Sequence, residues 1–141
     1  MKLSTKIRYG TRALVYIAAF GKNRYVSISE ISEKENISLK YLENIMTLLK
    51  SSGLLRSMQG AGGGYYLAKS IDELTLADIM YSISGPIFLV RCLSEYECNR
   101  EMECVLKDVW NDVNNVLDKK LRSIKLKNIV KKRKRKIKSF A

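Results

Sequence analysis

Three cysteines carry the most specific chemistry in this sequence: Cys92, Cys98 and Cys104, each separated from the next by five residues. The residues between them, Leu-Ser-Glu-Tyr-Glu and Asn-Arg-Glu-Met-Glu, are mostly polar and belong in water. These thiols are therefore not core filler, the usual setting of a free cysteine. An odd count argues against a disulfide framework. Structural zinc normally shows paired CxxC knuckles and a fourth Cys or His, and neither is present. Clustered thiolates on a polar loop suit an iron–sulfur cluster, whose irons prefer soft sulfur ligands. The chain has no histidine. That removes the commonest general base and every Ser–His or Cys–His pair, so a binding protein is expected rather than an enzyme.

Charge says what is bound. The chain has 141 residues and a net charge of +12, unevenly spread. Residues 1–69 hold eleven basic and four acidic side chains, residues 70–124 six and ten, and residues 125–141 nine and none. A basic first half, an acidic middle and a basic end suggest a polyanion-binding module joined to something else. The longest uncharged apolar run, Ala13–Phe20, is far below the roughly 20 residues of a membrane span. The opening Met1-Lys2-Leu3-Ser4-Thr5-Lys6 is not a secretory pattern. A cytoplasmic protein without a membrane partner is expected.

The elements that must position this chemistry follow from periodicity. Leu3, Ile7, Leu14, Ile17 and Ala18 keep near-helical spacing up to a stop at Gly21. Ser27-Ile28-Ser29-Glu30 is a capping-box pattern, with Glu30 expected to reach back, opening a short helix to about Glu35. Asn36-Ile37-Ser38 then makes a turn, and Leu39, Leu42, Ile45, Met46 and Leu49 form a second helical stripe ending near Gly53. Two helices joined by a tight turn make a helix-turn-helix or an ordinary helical hairpin. Strands at Leu54–Met58 and Tyr65–Ala68, joined by Gln59-Gly60-Ala61-Gly62-Gly63-Gly64, supply a wing and favour the first. The glycine-rich tip lacks the Lys-Ser/Thr of a phosphate loop and precedes a strand, so it is no nucleotide site. A tip free of bulky side chains can instead bring backbone close to a DNA groove. Thr75-Leu76-Ala77-Asp78 caps a further helix to about Ser84, ended by Gly85-Pro86. After the cysteines, Val105, Val109, Trp110, Val113, Val116, Leu117, Leu121 and Ile124 mark a long amphipathic helix. Such a helix packs against its own domain or against a symmetry mate, and two-fold DNA sites favour the dimer.

Several motifs in order resemble the Rrf-two family of winged-helix transcription regulators, and within it the IscR and NsrR branch. They are the opening Met1-Lys2-Leu3-Ser4-Thr5-Lys6 with Arg8-Tyr9-Gly10, Ile28–Glu33 with Ile37–Glu43, Gly60–Tyr65, and the cysteine spacing. The resemblance covers residues 1 to about 130 and departs at Ala61, where many members carry Pro. It implies a homodimer built on the long helix and a 2Fe–2S or 4Fe–4S cluster on Cys92, Cys98 and Cys104, with 2Fe–2S favoured. It further implies a double-stranded DNA operator and a regulator, repressor or activator, that senses iron–sulfur, redox or nitric oxide status. The DNA-binding residues it implies are Ser38, Lys40, Tyr41 and Glu43 on the second helix, with Gln59, Gly60, Gly62 and Gly63 at the wing. A carboxylate such as Glu43 can accept from a cytosine amino group, or can serve only the helix macrodipole. Related members take a fourth cluster ligand from positions matching Lys107, Arg8 or Arg12, all basic here. The fourth ligand is left unassigned, with an oxygen donor such as Glu101, Glu103 or Asp108, or a small molecule, implied.

The expected fold class is mainly α with a small β-hairpin, a winged helix-turn-helix followed by a long C-terminal dimerisation helix. The expected units are residues 1–84 for DNA binding, 85–104 for the cluster loop, 105–130 for dimerisation, and 131–141 as a mobile basic tail. The alternatives are a thiol redox regulator without a cluster and a non-specific basic nucleic-acid-binding protein.

Overall fold

The computed structural model describes residues 2–94 and 97–140. Met1 of the opening motif, Glu95 and Tyr96 between the first two cysteines, and Ala141 at the end of the expected tail lie outside the described residues.

Local chemistry sets each helix of the N-terminal half. Helix α1 (Thr5–Phe20) starts at Ser4, whose hydroxyl accepts the Ile7 N–H at 3.2 Å. Helix α2 (Ile28–Glu35) starts at Ser27 in the same way and ends on Asn36 in the left-handed conformation, φ 50°. Asn tolerates that region better than most residues, and the reversal there leads into α3 (Leu39–Ser51). The expected capping box at α2 is only half formed. Ser27 caps, but the Glu30 carboxylate turns to Arg24 at 2.6 and 2.8 Å and to the Tyr16 hydroxyl at 2.7 Å. A guanidinium is a stronger partner than a neutral amide.

Strands β1 (Leu55–Met58) and β2 (Gly64–Leu67) pair antiparallel, with Leu55 opposite Leu67 and Met58 opposite Gly64. Both lie within a residue of the expected spans. Val26, between α1 and α2, bonds Tyr65 in both directions at 3.0 and 2.8 Å and anchors the wing to the helices. Helix α4 (Leu76–Ser84) carries a complete Thr75–Asp78 capping box.

Helix α1 is the axle, packed against α2, α3, α4 and the last helix. Leu14, Ile17, Ile31, Leu42, Ile45, Leu49, Ile79 and Leu126 are fully buried around it. Each such side chain contributes roughly 1.5–3 kcal/mol. Gly10 allows the close approach, because a Cβ there would lie 2.3 Å from the Ile83 side chain and 3.1 Å from Ile45.

The C-terminal region differs from expectation. Helix α5 (Lys107–Ser123) ends at Ile124, and a separate helix α6 (Leu126–Ser139) follows. Residues 131–139, expected within a mobile tail, are helical instead. The corner is stapled: Leu126 donates to the Leu74 carbonyl and Leu76 to that of Ile124, each at 2.8 Å. Leu126 and Val130 are buried against the core. The charge run is tolerated because Arg133 reaches the buried Glu35 at 2.5 Å, while its guanidinium stacks over Tyr16 and Phe20. Among the described residues, no helix is long and apolar enough to cross a membrane.

Candidate DNA interface and cysteine loop

Ser38 caps α3 through the Tyr41 N–H at 3.4 Å. Lys40, Tyr41 and Glu43 all stand exposed on its first turns. They share one accessible helix end because Leu42, Ile45, Met46 and Leu49 take the opposite face into the core. Tyr41 is fixed edge-on against Tyr9 of α1, with ring centroids 5.9 Å apart. A shallow cleft beside it is lined by Lys6, Tyr41, Asn44, Thr47 and Leu48. Asn44 and Thr47 escaped the sequence reading, although Tyr41, Asn44 and Thr47 follow one another at three-residue steps. An asparagine amide can pair with an adenine edge and a threonine methyl can meet a thymine methyl.

Gln59 and Gly60 lie exposed at the wing tip. The glycines there have conformational reasons of their own. Gly60 and Gly62 adopt φ values of 99° and 76°, and a Cβ on Gly63 would sit 2.3 Å from the Met58 carbonyl oxygen. The tight hairpin therefore needs these glycines whether or not they touch DNA.

Behind the reading helix, Glu35 is 4% exposed at the end of α2 and joins three helices. Arg12 of α1 donates to one carboxylate oxygen at 3.1 Å, and Arg133 of α6 forms an ion pair with the other at 2.5 Å. Arg12 is thus a surface-exposed partner of the buried Glu35, tying α1 to the helix-turn-helix. Beside it, hydrogen bonding from Arg24 holds the Glu30 carboxyl down at about 2, and burial pushes Tyr16 up to about 12.

Cys92 lies in a single 3-10 turn (Arg91–Leu93), and Cys104 closes a second (Glu101–Glu103). Cys98 sits on irregular chain between them, and all three are free, half-buried thiols. Among the described residues, no three Cys, Asp or Glu side chains converge closely enough to hold a metal ion. The soft donor set fits an iron–sulfur group, and closing around one requires the loop to draw its thiols together. A cleft of about 430 Å³ is lined by Cys92, Glu97, Glu101, Lys107 and Asp108. The Lys107 ammonium points back to the loop and bonds the Glu101 carboxylate, which raises its pKa. Of the oxygen donors considered, Glu101 and Asp108 share that cleft with Cys92, and Glu103 lies outside its lining.

Comparison with known proteins bears on both regions. A family model described as Rrf2, iron-dependent transcriptional regulator, matches residues 3–132. The protein rrf2 of Nitratidesulfovibrio vulgaris is 34% identical over 132 residues, 93% of this chain and 88% of the relative. The HTH-type transcriptional regulator IscR of Photorhabdus laumondii is 32% identical, covering 92% of this chain and 79% of its own length. Among solved structures, CymR (YrzC), the global cysteine regulator of B. subtilis, matches with TM-score 0.76 and 31% identity, covering 93% of this chain and 97% of that one. T. potens IscR matches with TM-score 0.76 and 30% identity, covering 94% and 88%. The mainly α fold with its two-stranded wing is that of these regulators, and the relatives are DNA-binding regulators rather than enzymes. This chain belongs to the Rrf2 family of transcriptional regulators.

Proposed function

We propose that this chain works as a homodimer that reads a two-fold DNA site and is controlled by an iron–sulfur cluster, of the 2Fe–2S or 4Fe–4S type, on Cys92, Cys98 and Cys104. The observation that carries the cluster assignment is the confinement of all three free thiols to one polar loop that runs directly into α5. When bound, the cluster supplies a centre that reacts with oxidants and nitric oxide. The chain's own part is mechanical. The loop ends one turn before α5, and Lys107 at the helix start already grips Glu101, so ordering the loop bears on the helix.

The same helix leaves Val109, Val113 and Val116 about half exposed or more, at 49%, 48% and 68%, with Val105 and Leu106 continuing the strip. Trp110 borders it. A contiguous apolar strip of this kind marks an association surface, and a second copy meets it symmetrically. A change in helix–helix registry across that surface would shift the spacing of the two α3 helices, the quantity that a two-fold site measures. On each head, Lys40, Tyr41 and Glu43 read the groove, Ser38 sets the start of the reading helix, and Gln59 with Gly60, Gly62 and Gly63 brings the wing to the backbone.

Site selection from random duplex tests the DNA reading. A palindromic consensus should emerge and bind at least about a thousandfold tighter than random DNA. Equal affinity for both would favour a non-specific polyanion binder. A second reading keeps the DNA role and uses the thiols as a redox switch without iron. It is favoured by the open arrangement of the three thiols and by the likeness to Staphylococcus aureus CymR, solved in an oxidized form (TM-score 0.74, 29% identity). An intramolecular disulfide formed on mild oxidation of iron-free protein, with changed DNA affinity, would mark it.

A further inference from the structure

We propose that α6 is a second DNA-binding element, a docked line of cations that takes backbone phosphates of the duplex flanking the segment read by α3 and the wing. The proposal rests on the DNA-reading assignment above and adds a surface to it. Helix α6 holds eight Lys and Arg residues and no acid. Lys127 is engaged by Asp72 at 2.5 Å and Arg133 by Glu35. The other six, Lys131, Lys132, Lys134, Arg135, Lys136 and Lys138, are exposed, and none forms an ion pair among the described residues.

Their position gives the charge a direction. Lys134 shares a cleft of about 450 Å³ with Lys22 and Lys69, over a floor that includes Leu67 of the wing and Val130 of α6. A second cleft, about 470 Å³, brings Lys69 together with Lys50 at the end of α3 and Arg56 on β1. The two clefts share Tyr66 and Lys69, and no carboxylate lines either one. A continuous basic track therefore runs from the wing strands to α6. Duplex DNA is the polyanion assigned to the wing under the proposed function, and it is long enough to follow that track.

Docking matters as much as charge. Leu126, Val130 and Arg133 hold α6 to the body, so its cations are presented in a fixed row and lose little freedom on binding. The same docking argues against a lipid surface. A membrane-lying helix needs a broad apolar face, and α6 spends Leu126, Ile129 and Val130 on the core, leaving only Ile137 exposed, with Phe140 at the residue after its end.

The test compares wild type with a variant carrying Lys131→Ala, Lys134→Ala, Arg135→Ala and Lys138→Ala in the full chain. Alanine is the best helix former and Arg133 is retained, so circular dichroism and melting should match wild type. Binding is measured against salt on two duplexes: the selected site alone, and the same site extended by one helical turn, about 10 base pairs, on each side. Wild type should gain affinity from the extension. The variant should lose that gain, and its slope of log affinity on log salt on the longer duplex should be shallower by about two to four units, roughly one per lost phosphate contact. Discrimination between selected and random sequence should not change. Equal slopes for the two proteins would overturn the proposal. So would a variant that keeps its DNA slope but no longer binds vesicles rich in phosphatidylglycerol. Because the slopes can also be read on random duplex, failure of the sequence-specific reading would leave this test intact.

Discussion

Every helix of the winged-helix head begins on a side-chain cap, and its apolar stripe meets another stripe in the core. The cysteine loop has neither device. Its two short turns carry no side-chain caps, and no described residue between 85 and 108 is buried. What ties it down is small: Ile87 packs half-buried against the core, Leu89 donates to the Asn114 side chain at 2.9 Å, and Lys107 meets Glu101 on the surface. The head is ordered by the hydrophobic effect whatever is bound. Under the function proposed above, the loop takes its order from the bound group, which would let that group control it.

Truncation breaks this contrast most directly. Leu42→Ala, at a fully buried site on α3, should destabilise the protein by about 2–5 kcal/mol in chemical denaturation. Cys92→Ala should move the stability of iron-free protein by less than about 0.5 kcal/mol, as surface changes do. Similar losses at both sites would mean that the loop is part of the core.

Within the head, Glu35→Gln removes the charge that holds Arg12 and Arg133 together. A loss of about 1–3 kcal/mol is expected, since donors would be left poorly matched in a buried setting. Protease sensitivity should rise in α6 before the rest of the chain, because Arg133 is a clasp of that helix. A uniform rise would place the clasp elsewhere.

Glu43→Ala should leave stability within about 0.5 kcal/mol and relax discrimination at one base pair per half-site by about 1–3 kcal/mol. An unchanged consensus in site selection would reduce Glu43 to a helix-end charge.

The smallest effect is in acid. The Glu30 carboxyl, ordinarily near 4.5, is held at about 2 chiefly by Arg24. A carboxyl depressed in the folded state stabilises it above its unfolded pKa, and that contribution fades as pH falls through the folded value. Wild type should therefore lose stability between about pH 4.5 and 2 more steeply than Glu30→Gln. Parallel curves would show the Arg24 pair to be solvent-screened.

The sequence made the head readable because its signals are local. Ser27, Ser38, Thr75 and Gly53 announce helix ends by their own chemistry, and the glycines of the wing tip follow from the turn they must make. Glu30 was misjudged because its competing partners, Arg24 and Tyr16, are brought to it by the fold rather than by the capping pattern. The misreading of α6 has a similar origin. Leu126, Ile129, Val130 and Arg133 keep helical spacing, but the charge run masked it, and Glu35, the partner that makes the run tolerable, lies on α2. Asn44 and Thr47 were visible as a polar helical face and went unread. In the loop, spacing marked the three thiols as a candidate site, whereas no local signal in the sequence sets how they stand relative to one another.

The most direct test of the account is anaerobic purification, with iron and sulfide counted, the visible absorption recorded, and affinity for the selected DNA site measured with and without the bound group. Wild type should carry iron and sulfide and should change its DNA affinity when they are removed, while Cys92→Ala, Cys98→Ala and Cys104→Ala should each lack them and bind DNA as iron-free wild type does. Full iron retention in Cys98→Ala, or a DNA affinity indifferent to the cluster, would contradict it.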